Sequence, residues 1–167
     1  MKKDDFFKEA ENFYRIKNAL KESGKKITVI KRKDDLFLLF VYDRKMLEKT
    51  LNSSDVISFL EEHNYKTDAE TEAILRQLFR RLTQKAFPHE IGLFLGYPLE
   101  DVKGFEASGG KNCKFQGSWA VYGDVNKSTK LMKTYSECTE CCLRLMKMGI
   151  KTEDMETYFK REKLLSA

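Results

Sequence analysis

FPHEIGLFLGYPLEDVKGFEASGGKNCKFQGSWAVYGD, residues 87–124, is the stretch whose reading decides the fold. Residues 88–96 and 98–108 read as two short helices broken at Gly96-Tyr97-Pro98. Proline at a first helical position is favourable, because its missing N–H would be unpaired there anyway. Gly109-Gly110 ends the second helix, since glycine accepts the left-handed conformation of a C-cap. Residues 114–122 then read as a strand, with Trp119 and Val121 on one side and Ala120 and Tyr122 on the other. Helix, break, helix and strand within 38 residues mark a mixed architecture.

The flanks agree with that reading. Upstream, residues 4–22 place Phe6, Ala10, Phe13 and Leu20 on one helical face. Residues 27–31 and 36–42, rich in β-branched and aromatic side chains, form a hairpin across the polar turn Arg32-Lys33-Asp34-Asp35. The second of these strands is apolar on both faces, which implies a central position in its sheet. Helices are expected at 43–51, starting at Asp43, at 55–63 with Ser54 as N-cap, and from Thr67 or Asp68 to about 85. Downstream, a long helix spans about 126–148 and stops at Gly149, and a last one covers 152–164. The expected fold is α+β, in one domain over residues 1–167. A small antiparallel sheet, made of the hairpin 27–42 and the strand 114–122, packs with about seven helices.

Composition narrows the classes of function. Apolar residues at 41% suffice for a core, and no stretch approaches the roughly 20 apolar residues of a membrane helix. MKKDDFFKEA has two lysines followed by two aspartates and no apolar run, which argues against a signal peptide and for a cytoplasmic protein. The net charge of +5 is uneven: 14 basic against nine acidic residues in positions 1–50, five against eight in 51–100, and 12 against nine in 101–167. Such an excess is compatible with nucleic acid without pointing to it, and a solvated surface is its ordinary explanation. Cys113, Cys138, Cys141 and Cys142 are expected as free thiols in a reducing compartment.

FPHEIGLFLGYPLEDVKGF followed by GSWAVYGD resembles a family of uncharacterised proteins from Firmicutes, known only as a domain of unknown function. Two long blocks agree with it in order and spacing, and a cysteine near Cys138 follows on a helix. The resemblance covers residues 87–142 well and the rest weakly. Members usually begin with a Pro-Thr-Leu-Ala-Gly-Ile-Lys-like segment, of which only Ile16-Lys17 is an echo here. The resemblance implies a shared fold and brings no activity with it.

His89-Glu90 stands at a helix start, where exposed N–H groups favour an anion and a neutral imidazole can ligate a metal or act as a base. Helix capping explains the same pair. Position 93 is leucine, so the second histidine of the His-Glu-x-x-His zinc motif is missing. Gly92, Gly96, Gly104 and Gly117 match no phosphate-loop pattern, and Gly92 inside a helix is best explained by close packing. Cys138, Cys141 and Cys142 invite a metal reading, but Leu131, Tyr135, Cys138, Cys142 and Leu145 recur at helical spacing as a core stripe. Cys141, beside that stripe, is the more exposed thiol. Trp119, Tyr122 and Asp124 end the third strand. Asp124 serves as an N-cap, or the aromatic residues form a ligand-stacking surface with Tyr97. Arg76, Arg80, Arg81 and Lys85 line one helix face, ordinarily explained by Glu72–Arg76 pairing and alternatively by contact with phosphates.

No nucleophile–base pair, paired carboxylates or cofactor loop is visible, so whether the chain is an enzyme stays open. The first reading is a binding or accessory protein, taking an unknown protein or small-molecule partner in a concave site near residues 87–124. Its ligand-binding residues are His89, Glu90, Tyr97, Trp119, Tyr122 and Asp124. The alternatives are a metal- or haem-binding protein using His89 with a cysteine, and a nucleic-acid-associated regulator. The regulator would use Arg76, Arg80, Arg81 and Lys85 with the basic N-terminus.

Overall fold

The structure, a computed structural model, describes residues 10–22, 24–31, 37–84, 86–155 and 157–158. Its elements in chain order are helix α1 (Ala10–Glu22), strands β1 (Lys25–Lys31) and β2 (Phe37–Asp43), and helices α2 (Arg44–Leu51), α3 (Ser54–Glu62) and α4 (Thr71–Leu82). Then come α5 (Ile91–Phe94), α6 (Leu99–Ser108), short strands β3 (Phe115–Gln116) and β4 (Ala120–Val121), the long helix α7 (Val125–Lys147) and a 3-10 turn (Thr152–Asp154). The fold is α+β. The start of the expected helix 4–22 with Phe6, the turn at 32–35, Lys85 and most of the segment 152–164 lie outside the described residues.

The β1–β2 hairpin pairs antiparallel over its whole length, with Thr28 opposite Phe40 and Ile30 opposite Leu38. Ile30 and Phe40 point into the core, where β-branched and aromatic side chains pack well on a pleated surface. Strand β2 is not central, contrary to its all-apolar sequence. Among the described residues its sheet has two strands, and Leu39 and Val41 on the outer face are nearly half exposed. Residues 114–122 also depart from a single strand added to the hairpin. They fold back on themselves, so that β3 pairs with β4 in a second small sheet around Gly117-Ser118-Trp119. Gly117 permits this because the Met132 sulfur occupies the space its side chain would take.

Helix boundaries follow their caps. The Asp43 carboxylate accepts from the Met46 N–H at 3.1 Å to open α2, and Asp124 does the same for Lys127 to open α7. Helix α3 is capped at Ser53, one residue before the expected position, without a side-chain bond. Helix α4 begins at Thr71, later than expected. Gly109 terminates α6 with φ +58°, in the left-handed region that favours glycine.

The main core gathers Phe40, Leu47, Phe59, Leu60, Leu78 and Leu93 with neighbours from β1, β2 and α2 to α6. The stripe Ile74, Leu75, Leu78, Phe79 and Leu82 faces it as its spacing implies. A second, smaller cluster holds Trp119, Val121 and Met132. Tyr97 packs against both. The cysteine stripe of α7 is not a core stripe. Residues 133–140 are all exposed, Cys138 among them, while Cys141 and Cys142 are half-buried. Helix α7 outruns the body it packs on, so only Ser128, Met132 and Leu145 are buried along it.

Candidate functional site

The turn before α5 sends its two polar residues to different places. Glu90 is buried. Its Oε1 accepts from the Tyr65 hydroxyl at 3.0 Å and pairs with Arg81 Nε at 2.8 Å. Arg81 also donates to the His63 carbonyl at 2.7 Å and lies over the Tyr65 ring. Burial first, and then the Glu90 charge, push the Tyr65 phenol far above its ordinary pKa. Arg81 is therefore committed to the interior rather than to a free basic face. Glu72, expected to pair with Arg76, instead bonds Lys26 and Arg44 across the fold.

His89 stays exposed, with its ring edge-on to Phe105 at 5.1 Å. Helix α5 then packs so closely on α6 that a Cβ on Gly92 would stand 2.8 Å from Val102 Cγ2. The chain reverses at Gly96 (φ +84°) and presents Tyr97. That ring stacks on Trp119, centroids 4.4 Å apart and planes within 16°.

Trp119 is held from below by Asp101, a buried carboxylate in the first turn of α6. Its Oδ2 accepts the Trp119 indole N–H at 2.8 Å and the Ser128 hydroxyl at 2.7 Å. Its Oδ1 accepts the backbone N–H groups of Tyr122 and Gly123 at 2.8 and 2.9 Å. Burial would raise this carboxyl's pKa. The donors from Gly123, Trp119, Ser128 and Tyr122 outweigh it and hold the group below the ordinary carboxylate range. One side chain thus ties α6, the β3–β4 loop, the end of β4 and α7 together. The pattern hides this role, because an acid in a first helical turn is already explained by the dipole. The only hint is an acid within bonding reach of the single tryptophan once the chain folds back.

These residues enclose an open cavity of about 360 Å³, lined by the rings of Phe87, His89, Tyr97, Phe105 and Trp119, with Asp101 beside them. Gln116 and Ser118 supply polar groups at its wall. Of the residues expected to form the site, His89, Tyr97 and Trp119 come together here. Glu90 faces the Tyr65–Arg81 pair. Tyr122 packs onto Gly104, where any side chain would overlap its ring, and donates to the Lys111 carbonyl at 3.0 Å. Asp124 caps α7.

The chain matches the model of the protein family described as a protein of unknown function (DUF3793) over residues 1–156. It belongs to that family. The DUF3793 match spans nearly the whole chain, well beyond the blocks at 87–142 that carry the resemblance in sequence. No curated protein and no solved structure matches the chain.

Among the described residues no group of three or more His, Cys, Asp and Glu side chains is arranged to hold a metal ion, and no cysteine lines the cavity with His89. His63 is engaged by the Phe59 carbonyl and the Glu106 carboxylate. No described helix is long and apolar enough to cross a membrane. A second recess of about 540 Å³ between α1 and the hairpin is lined by Lys17, Lys21, Lys25 and Lys26 with Tyr14 and Tyr42.

Proposed function

We propose that the chain is a cytoplasmic binding protein whose ligand is a small molecule held in the cavity between α5, α6 and the β3–β4 loop. The observation that carries this reading is the pre-formed aromatic wall. Tyr97 and Trp119 are stacked, and the Trp119 N–H is already bonded to a buried carboxylate. Such preorganisation lowers the ordering cost of binding. The volume is that of small-molecule sites, which are mostly apolar with a few convergent polar groups. His89, Tyr97 and Trp119 touch the ligand. Glu90, Tyr122 and Asp124 hold the walls from behind.

The test is a small-molecule screen on the full chain, followed by the fluorescence of its single tryptophan and by NMR shifts. Hits are expected to move resonances of residues lining the cavity and to be lost in Phe87→Ala/Phe105→Ala. Shifts confined to other surfaces, or hits indifferent to the double variant, would sink the reading.

A nucleic-acid contact finds its best support away from α4, at the recess lined by Lys17, Lys21, Lys25 and Lys26, where Tyr14 and Tyr42 add rings. It predicts retention on heparin or single-stranded DNA at about 50 mM salt that weakens steeply as salt rises. Lack of retention removes it.

A further inference from the structure

The charges around the cavity discriminate among its ligands. The chain carries 31 lysines and arginines, yet none is among the described residues lining the cavity. The Asp101 carboxylate beside it is bonded by an indole N–H, a hydroxyl and two backbone N–H groups, all of them neutral. Three N–H donors and a hydroxyl on two oxygens suit the ionised form, which is acceptor only. Among the described residues no lysine or arginine forms an ion pair with Asp101, and the nearby Lys114 ammonium donates to the Gly123 carbonyl instead. A buried carboxylate thus stands next to an aromatic cavity with no ion-pair partner among the described residues.

Both features favour the same ligand. The faces of aromatic rings carry negative potential and attract weakly hydrated cations. An indole whose N–H bonds a carboxylate is polarised in the same sense. The buried carboxylate acts over several ångströms without touching the ligand, so its saturated hydrogen bonds are no obstacle. A neutral aromatic ligand would gain nothing from that charge.

Resting on the reading of the cavity as a ligand site, we infer that its ligand is a small organic cation, a quaternary or bulky ammonium ion. It is held against the rings of Tyr97, Phe105 and Trp119 beside the Asp101 carboxylate. Gln116 and Ser118 offer polar contacts to the remainder of such a molecule.

Choline and 3,3-dimethylbutan-1-ol, its neutral isostere of the same shape, make the probe pair. Each is titrated into the full chain and followed by Trp119 fluorescence and by NMR shifts of the lining residues. Choline is expected to bind at least about tenfold more tightly than the alcohol. That ratio should fall toward one in Phe105→Leu, which keeps an apolar wall and removes the ring face from a partly exposed position. Asp101→Asn should lower it too, and Phe105→Leu keeps the test decisive if Asp101→Asn does not fold. Equal binding of the two probes overturns the cationic ligand while leaving the cavity as a site. An unchanged ratio in Phe105→Leu overturns the role of the rings. If neither probe moves the lining resonances, the reading of the cavity itself falls.

Discussion

Asp101 shows how much one buried side chain can organise. Replacing it by alanine strands an indole N–H, a hydroxyl and two backbone N–H groups at once. Each unsatisfied buried group costs about 1–3 kcal/mol, so Asp101→Ala is expected to lose about 3 kcal/mol or more in urea denaturation. The pH dependence has a definite sign. The folded-state pKa is depressed, so Asp101 stabilises the fold above the ordinary carboxylate pKa of about 4. That stability is lost as pH falls through the folded value. Unfolding free energies measured between about pH 5 and pH 2 should fall more steeply for the natural chain than for Asp101→Asn. Parallel acid limbs would count against the assignment. Tyr65 gives the opposite limb. Its phenol is raised in the folded state, so the unfolded chain releases its proton first and stability declines as pH rises past about 10. One of the seven tyrosines should therefore resist phenolate formation until alkaline unfolding, and Tyr65→Phe should flatten the alkaline decline.

At the scale of elements, glycines set how closely neighbours approach. A Cβ on Gly92 would press on Val102, buried and stiff at χ1, and on Tyr97. A Cβ on Gly104 would lie inside the Tyr122 ring, whose hydroxyl is also bonded to the Lys111 carbonyl. Gly92→Ala gains about 1 kcal/mol of helix propensity, which offsets only part of its clash, and should be destabilising by about 1 kcal/mol. Gly104→Ala should cost at least about 2 kcal/mol, part of it recovered in Gly104→Ala/Tyr122→Ala. Additive effects in that double-mutant cycle would show that the two residues do not meet as described. These elements were legible to different degrees. Pro98 and Gly109 frame α6, and Asp124 opens α7, because caps are local chemistry. Strand β2 misled, since a run apolar on both faces reads as central whether or not a third strand exists to cover it. The cysteine stripe of α7 misled for a related reason: helical spacing says which residues share a face and nothing about how far the rest of the molecule extends along it. Asp101 stayed hidden because its partners lie 18 to 27 residues onward and belong to three other pieces of structure.

Over the whole molecule, the candidate site lies on the seam between two apolar clusters of unequal size. The larger draws on the hairpin and five helices, while the smaller has only Trp119, Val121 and Met132 fully buried. Three buried residues cannot hold an autonomous unit, so the smaller cluster is stable only through its ties to the larger. Those ties include the Tyr97 ring, shared by both, the Asp101 hydrogen bonds and the Tyr122 ring on Gly104. In the natural chain the two clusters should therefore unfold together, and Trp119 fluorescence and far-UV circular dichroism should give the same urea midpoint. Removing the shared ring weakens the seam from both sides, and the main core, with its many other buried residues, loses proportionally less than the Trp119 cluster. In Tyr97→Ala the fluorescence transition is expected to move to lower urea and separate from the helical signal, as the Trp119 cluster opens first. Coincident transitions in Tyr97→Ala would mean that the ties other than the ring, the Asp101 hydrogen bonds first among them, suffice to couple the clusters. The site would then owe its shape to those ties rather than to the stacked rings.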